Sequence, residues 1–310
     1  MKRSAWLTTI SVSLCLLSST LWAGKPSTFE SVLGDSKLPK AIQFHKGGRP
    51  SKKGEGVVPY LAKLDAPLKR VALISFYVFD PGKSTGTYYA SVRTFHWLTQ
   101  DGASHFAQRF HEQGIDSLRQ AFAAHGMTLL TPDEFLDTDA KRQAYTAYEI
   151  KRSAAAKIAM GLVKRMTRAA GGDTEQSAVA AGYRLLATHN VPTDPKTAVS
   201  LNDLRLTLDV DALVVVKNGT FFDGKNLTLG DIQLMMYGPN PMQKIEGKRY
   251  IQWKDGHHYT SATLTLRPRP GVAVFKKDKI VEETYDGYEK LLALLADRVG
   301  ADLVRKIKAK

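Results

Sequence analysis

The pattern of apolar and polar positions has its clearest feature at Ala212 to Val216, an uninterrupted apolar run entered through Asp209 and Asp211. The run is too short for an ordinary helix, is rich in β-branched residues and is followed by Lys217-Asn218-Gly219. It therefore predicts a strand that is buried on both faces. Such a strand needs a covering layer on each side, so we expect it at the centre of the fold.

The same pattern predicts elements on both sides of this strand. Before it we expect a strand at 70–79, a strand or hairpin at 87–97, a helix that ends at Gly126 and a short strand at 127–130. These are followed by a capping box at 131–134, helical composition over 139–170, a weaker helix at 178–186 and a proline-bearing connection at 189–200. After it we expect strands at 227–237, 260–266, 271–275 and 279–281, a bulge at Gly230-Asp231, and a last helix with an apolar stripe from Tyr288 to Ile307.

Together these elements predict an α/β fold with a mixed sheet. Parallel strand-helix-strand units come first, and an antiparallel meander and a packed C-terminal helix follow. We expect one α/β domain at 70–310, with insertions at about 80–100 and 140–205. Residues 24–69 are rich in Gly, Lys, Pro and Ser, which predicts a flexible basic N-terminal arm.

The first 23 residues have the pattern of a secretory signal peptide. Lys2 and Arg3 precede an apolar stretch at 5–17, and Ala23 offers a cleavage site. The apolar stretch is shorter than the roughly 20 residues of a spanning helix, so we expect no membrane span after its removal. Cys15 is the only cysteine, so the mature chain would have no disulfide and no thiolate site. This composition favours the periplasm, with secretion as the alternative.

The charge suggests which partners to consider. The formal net charge is +14, and removing Lys2 and Arg3 leaves +12 on the mature chain. In the periplasm such a chain would meet lipopolysaccharide, phospholipid surfaces and acidic polysaccharides rather than nucleic acid. The plainer alternative is a basic surface that only keeps the protein in solution.

Two groups of aromatic and cationic residues are candidates for binding such anions. They are Arg249, Tyr250, Trp253 and Lys254 in one group, and Tyr88, Arg93 and Trp97 in the other. Surfaces that bind sugars or phosphates often mix these residue types. The alternative is that they belong to edge strands and keep their polar ends in water.

Motifs for catalysis or metal binding are incomplete. Gly82-Lys83-Ser84-Thr85 would need a glycine at position 77 to form a phosphate-binding loop, and Tyr77 stands there. His111-Glu112 begins an HExxH pattern, but Ile115 occupies the place of the second histidine. The sequence therefore predicts no catalytic residue, no cofactor and no metal, and leaves open an enzyme site assembled from distant residues.

Four stretches carry a resemblance to a known envelope domain: Val71 to Phe76, Leu129 to Glu134, Asp211 to Val216 with Gly219, and the stripe from Leu291. With these stretches in this order along the chain, the sequence resembles the amino-terminal domain of the Tol periplasmic protein and related domains of curli-secretion and flagellar-ring accessory proteins. The resemblance covers about residues 70–310, and its motifs are structural. It implies an assembly role without catalytic residues. Two predicted segments are not part of the family pattern: the long, alanine-rich helical segment within 139–170, and the segment Tyr88–Trp97.

Three functions of different class follow. The first is a non-enzymatic assembly or adaptor component of an envelope complex, whose partners are other envelope proteins. The second is a binding protein for an anionic envelope polymer, lipopolysaccharide or acidic polysaccharide. The third is an enzyme. A deep pocket with converging polar groups would favour catalysis, and a broad apolar groove would favour a protein partner.

Overall fold

The structure is a computed structural model. It describes residues 27–46, 49–50, 64, 67–80, 83–85, 94–96, 99–154, 157–158, 161, 176–186, 195–222, 226–239, 256–273, 275–276, 279–280 and 284–308. The predicted signal peptide at 1–23 lies outside these residues.

The helices are named in chain order. They are α1 (Phe29–Leu33), α2 (Gln100–Ala123), α3 (Pro132–Phe135), α4 (Asp139–Ala147), α5 (Pro195–Leu208) and α6 (Tyr288–Lys308). The strands are β1 (Ile42–Lys46), β2 (Arg49–Pro50), β3 (Arg70–Asp80), β4 (Lys83–Thr85), β5 (Thr94–His96), β6 (Thr128–Leu130), β7 (Gln176–Val179), β8 (Ala212–Phe222), β9 (Asn226–Pro239), β10 (Gly256–Thr265), β11 (Gly271–Ala273), β12 (Phe275–Lys276) and β13 (Lys279–Ile280). None of the described helices is long and apolar enough to cross a membrane.

The fold is mixed α/β, as predicted, and its main sheet has the order β2-β1-β10-β9-β8-β3-β6. Strands β8, β3 and β6 are parallel, and the strands from β9 outward are antiparallel. The predicted central strand is β8, and all of Ala212 to Val216 is fully buried. The Asp211 carboxylate accepts hydrogen bonds from the amides of Lys69 and Arg70 (2.7 and 2.8 Å), which sets the register at the start of β3 and β8.

A bulge in β9 confirms the prediction at Gly230-Asp231. Gly219 pairs with Asp231 and the next residue, Thr220, pairs with Leu229, so Gly230 is the additional residue. Within the described residues of the segment after β3, β4 and β5 pair antiparallel in a separate two-stranded sheet; β4 lies before the strand or hairpin predicted at 87–97, of which 94–96 are described.

One edge of β3 is shared by two strands. Its start pairs with β6 in parallel and its end pairs with β7 in antiparallel orientation. The helix predicted at 178–186 was therefore wrong. Residues 176–179 form β7, and Ala180 to Leu186 are not helical. Because β6 is only three residues long, the rest of the β3 edge needs hydrogen-bond partners, and this requirement outweighs the weak helical preference of the segment.

One face of the sheet packs against α2 and α6, and we call it the α2–α6 face. Val71, Leu73, Phe76, Val214 and Val216 point to it and are fully buried. The predicted stripe of α6 is confirmed, since Tyr288, Leu291, Leu292, Leu295, Val299 and Leu303 are buried against this face.

Gly114 explains how α2 and α6 come close together. A Cβ atom at this position would lie 2.7 Å from Leu292 Cδ2 and 2.8 Å from Tyr288 Cε1. Glycine has a low helix propensity, so Gly114 by itself disfavours the middle of α2. The structure shows what that glycine makes room for.

The opposite face packs against α3, α4 and α5, and we call it the α5 face. Its buried sheet residues include Ile74, Tyr77, Leu213, Val215 and Met235. The sequence missed α5, which begins at Pro195 within the expected connection. The helix buries Thr197, Ser200 and Asn202 beside its leucines, and polar residues at buried positions hide the apolar periodicity.

Helix α4 is shorter than expected. Helical composition was predicted over 139–170. Helix α4 ends at Ala147 and Tyr148 to Ser153 are not helical, whereas the described residues that follow, Ala154, Lys157, Ile158 and Gly161, are helical again. The Arg184 guanidinium group donates hydrogen bonds to the carbonyl oxygens of Tyr145 and Tyr148. Those carbonyls are satisfied from outside the helix, which lets the chain leave the helical path there.

Part of the expected flexible arm is packed into the fold. Phe29, Val32, Leu38 and Phe44 are buried, and β1 pairs with β10. The composition of 24–69 is poor in apolar residues on average, but these four occur where the sheet edge and α6 leave apolar surface to cover.

Candidate anion-binding cleft

The predicted binding residues Tyr88, Arg93, Trp97, Arg249, Tyr250, Trp253 and Lys254 all lie outside the described residues. Their role stays a prediction. His258, close to them in sequence, is buried. It is 7 % exposed and its ring lies 5.0 Å from that of Tyr237.

The described residues contain a cleft of about 580 Å³ between α5 and the chain that follows α4. Its volume lies in the usual range of small-ligand sites, about 300–1,000 Å³. The lining residues are Ala144, Ala147, Tyr148, Glu149, Ile150, Lys151, Arg152, Lys157, Lys196, Ser200, Asp203, Leu204 and Thr207.

Helix α5 forms one wall of the cleft. Lys196, Ser200, Asp203, Leu204 and Thr207 contribute to it, and their spacing places them along one side of a helix with 3.6 residues per turn. Leucines elsewhere on α5, among them the fully buried Leu201 and Leu208, anchor the helix to the sheet.

The other wall is the end of α4 and the non-helical segment after it, held to α5 by hydrogen bonds. The hydroxyl groups of Tyr148 and Ser200 lie 2.7 Å apart. Thr197 Oγ1 donates to the carbonyl oxygen of Lys151 (3.1 Å), and the Lys151 amide donates to Ser200 Oγ (3.4 Å). The backbone of Lys151 is thus fixed beside the first half of α5.

A segment that we call the strap, residues 180–186, holds this wall against the sheet. Tyr145 donates its hydroxyl proton to the Ile74 carbonyl (2.6 Å) and accepts from the Arg184 amide (2.9 Å). Ser75 Oγ donates to the Arg184 carbonyl (2.8 Å) and accepts from the Leu186 amide (3.2 Å). Since Arg184 also donates to the end of α4, the strap fixes the position of Tyr148 in the cleft.

The charge of the lining is predominantly positive. Lys151, Arg152, Lys157 and Lys196 outnumber the two acidic residues, Glu149 and Asp203. Among the described residues, no carboxylate forms an ion pair with the three lysines. Their ammonium groups are therefore available to an anion from outside.

The Tyr148–Ser200 contact is suited to binding rather than to nucleophilic catalysis. Burial, the largest cause, raises the pKa of Tyr148 to about 12. At neutral pH the phenol keeps its proton and does not act as a general base toward Ser200. The pair therefore fixes the two walls of the cleft relative to each other.

The histidine of the incomplete HExxH pattern has a structural role. His111 Nε2 lies 3.0 Å from the Tyr183 hydroxyl oxygen, and the His111 ring meets the edge of the Phe76 ring at 5.3 Å. Burial lowers the pKa of His111 and raises that of Tyr183, so both groups are neutral near pH 7. Within the described residues, no group of three or more His, Cys, Asp or Glu side chains is arranged to hold a metal.

Comparison with known proteins adds no further guide to the cleft. The chain matches no protein-family model, no curated protein and no solved structure. The resemblance to the Tol, curli-secretion and flagellar accessory domains accordingly stays a prediction.

Sequence reasoning missed the cleft because it missed α5. Once 195–208 is known to be a helix, the spacing of Lys196, Ser200, Asp203 and Thr207 shows a polar stripe. The second wall depends on the strap, and its contacts join residues far apart in the chain, such as Ser75 and Arg184.

Proposed function

We propose that the chain is a non-enzymatic periplasmic envelope protein that recognises an anionic group of its partner in the α4–α5 cleft. The observation that carries this proposal is the trio Lys151, Lys157 and Lys196, which lines a concave site and is paired with no carboxylate of the described residues. Each lysine supplies a compact positive charge with three hydrogen-bond donors.

The shape of the site supports the proposal. Cations gathered in a cleft with low-dielectric walls concentrate the electric field more than cations spread over a convex surface. The lysines supply the contacts with the anion, because the Tyr148 hydroxyl is engaged with Ser200 and Ser200 is 2 % exposed. Binding there needs no catalytic step.

In an assembly or adaptor role, the lysines of the cleft would bind an anionic group on the partner protein. A component of an envelope complex needs a surface that distinguishes its partner, and electrostatic complementarity supplies selectivity and a fast encounter. The anionic-polymer hypothesis uses the same charge and is tested in parallel.

The test compares two triple variants of the mature chain with equal net charge. In the cleft variant Lys151, Lys157 and Lys196 become Ser. In the control variant the exposed Lys37, Lys40 and Lys290, which do not line the cleft, become Ser. Binding of fluorescent poly-glutamate and of lipopolysaccharide is measured by anisotropy at low and at physiological salt.

We expect the cleft variant to lose most of the affinity and the control variant to keep it, with unchanged melting temperatures, because exposed charges contribute little to stability. Equal loss in both variants would show that only net charge matters. An absence of binding by the parent at low salt would also refute the proposal.

A further inference from the structure

The charges that α5 contributes to the cleft are divided along its axis. Lys196 lies in the first turn, and the Lys151 backbone is hydrogen-bonded to Thr197 and Ser200 next to it. Asp203 lines the same wall seven residues after Lys196, which is about 10 Å further along a helix that rises 1.5 Å per residue. The α5 wall is thus positive at one end and carries a carboxylate towards the other.

This division argues against a uniformly anionic ligand. A polymer with a negative charge on every unit would place one of them beside Asp203, and like charges in contact oppose binding. A ligand with an anionic group at the lysine end and a cationic group about 10 Å away avoids that repulsion. Asp203, one of the two acidic lining residues, would therefore restrict which anions the lysines bind.

We infer that the cleft binds an extended peptide segment in which an acidic residue precedes or follows a basic residue by three positions. An extended chain advances about 3.3 Å per residue, so three residues span about the same 10 Å that separates Lys196 from Asp203. The α5 wall from Lys196 to Thr207 covers about 16 Å, enough for about five extended residues. This inference rests on the proposed function, because it identifies the ligand of the same cleft.

A peptide fits the lining better than a sugar does. Among the described lining residues Tyr148 is the only aromatic one. Its hydroxyl is engaged with Ser200, and its side chain is only partly exposed. The remaining contacts are charged groups, hydroxyls and short apolar side chains, and these match the alternating charged and small side chains of a peptide.

The experiment uses two labelled five-residue peptides with blocked ends, which have Glu at position 1 and either Lys or Glu at position 4. We expect the parent protein to bind the Glu–Lys peptide about five-fold more tightly at low salt, as exchange of one exposed attractive contact for a repulsive one suggests. In Asp203→Lys the preference should reverse. Asp116→Lys, an exposed substitution on α2 with the same change in net charge, should keep the preference of the parent.

The outcomes separate this inference from the proposed function. If the parent prefers the Glu–Glu peptide, or if Asp203→Lys leaves the preference unchanged, the division of charge does not select the ligand and the inference is refuted. The requirement for Lys151, Lys157 and Lys196 in poly-glutamate binding would stand in that case. If the triple lysine variant binds every probe like the parent, the proposed function fails as well.

Discussion

The two faces of the sheet are covered in different ways. On the α2–α6 face large apolar side chains pack in a continuous layer, and Asn218 with Tyr288 forms one buried polar contact within it (2.8 Å). On the α5 face a smaller apolar layer is bordered by the hydrogen bonds of Ser75, Tyr145 and Arg184. On the first face the helices lie close against the sheet, and on the second a cleft lies between α5 and the end of α4 with the segment after it.

The difference reflects two kinds of interaction. Apolar packing is non-directional and favours the closest contact, as at Gly114. Hydrogen bonds are directional and fix atoms at defined positions without closing the space between them. We therefore expect substitutions on the α2–α6 face to change stability alone, and substitutions in the strap to change stability and binding together.

The largest effect should come from the strand shared by both faces. Val214 faces α2 and α6, Val215 faces α5, and both are fully buried. Val214→Asp and Val215→Asp each bury an unpaired charge, which costs several kcal/mol and should prevent folding. Circular dichroism with thermal melting measures this, and a variant that melts like the parent would refute the position of β8.

Gly114→Val should break the α2–α6 face selectively. The added side chain would overlap Leu292 and Tyr288, and we expect a loss of about 3 kcal/mol, the upper part of the range for overpacked cores. Gln120→Val, at an exposed position of the same helix, is the control for the β-branched side chain and should cost well under about 1 kcal/mol. Denaturant unfolding measures both, and equal losses would contradict the close approach of α2 and α6.

Tyr145→Phe and Tyr288→Phe compare the two faces directly. Each removes one hydroxyl and leaves buried partners unsatisfied, the Ile74 carbonyl and Arg184 amide in one case and the Asn218 side chain in the other. Each should cost about 2 kcal/mol. Only Tyr145→Phe should also weaken poly-glutamate binding, because it loosens the strap. If both variants bind like the parent, the strap does not position the cleft.

The smallest effect concerns pH. Burial lowers the pKa of His111 below its ordinary value of 6.5; Arg119 also lowers it, and Glu112 and Asp116 partly oppose the shift. The unfolded chain therefore binds a proton more readily, so stability should fall as pH drops below about 6.5 and level off below the folded-state pKa. His111→Gln should reduce this slope between pH 7.5 and 5, measured by denaturant unfolding. An identical slope would show that other groups cause it.

Elements with a strong local signal were predictable from sequence. The apolar run of β8, the stripe of α6 and the glycine of the β9 bulge each have a pattern that depends on a few neighbouring residues. The capping box at Thr131 was also predictable, and the Glu134 carboxylate accepts from the Thr131 amide (2.7 Å).

Elements whose conformation depends on distant contacts were not predictable. β7 exists because β6 is short, α4 ends where Arg184 reaches it, and α1 and β1 cover apolar surface supplied by the far end of the chain. The cleft combines two such cases, because it needs α5 on one side and the strap behind the other. For these residues, propensity and periodicity describe the segment alone and leave out the partner that decides its conformation.

The pairing of β1 with β10 has a consequence for the order of folding. Ile42 in β1 pairs with Leu264 in β10, so β1 can pair only after a strand more than 200 residues later in the chain has formed. Pairing between residues so far apart in sequence slows folding. Until β1 arrives, one edge of β10 presents unpaired backbone groups, and exposed edges of this kind promote association between chains. A chain that began after residue 46 would keep that open edge permanently, and we expect its refolding yield to fall with protein concentration.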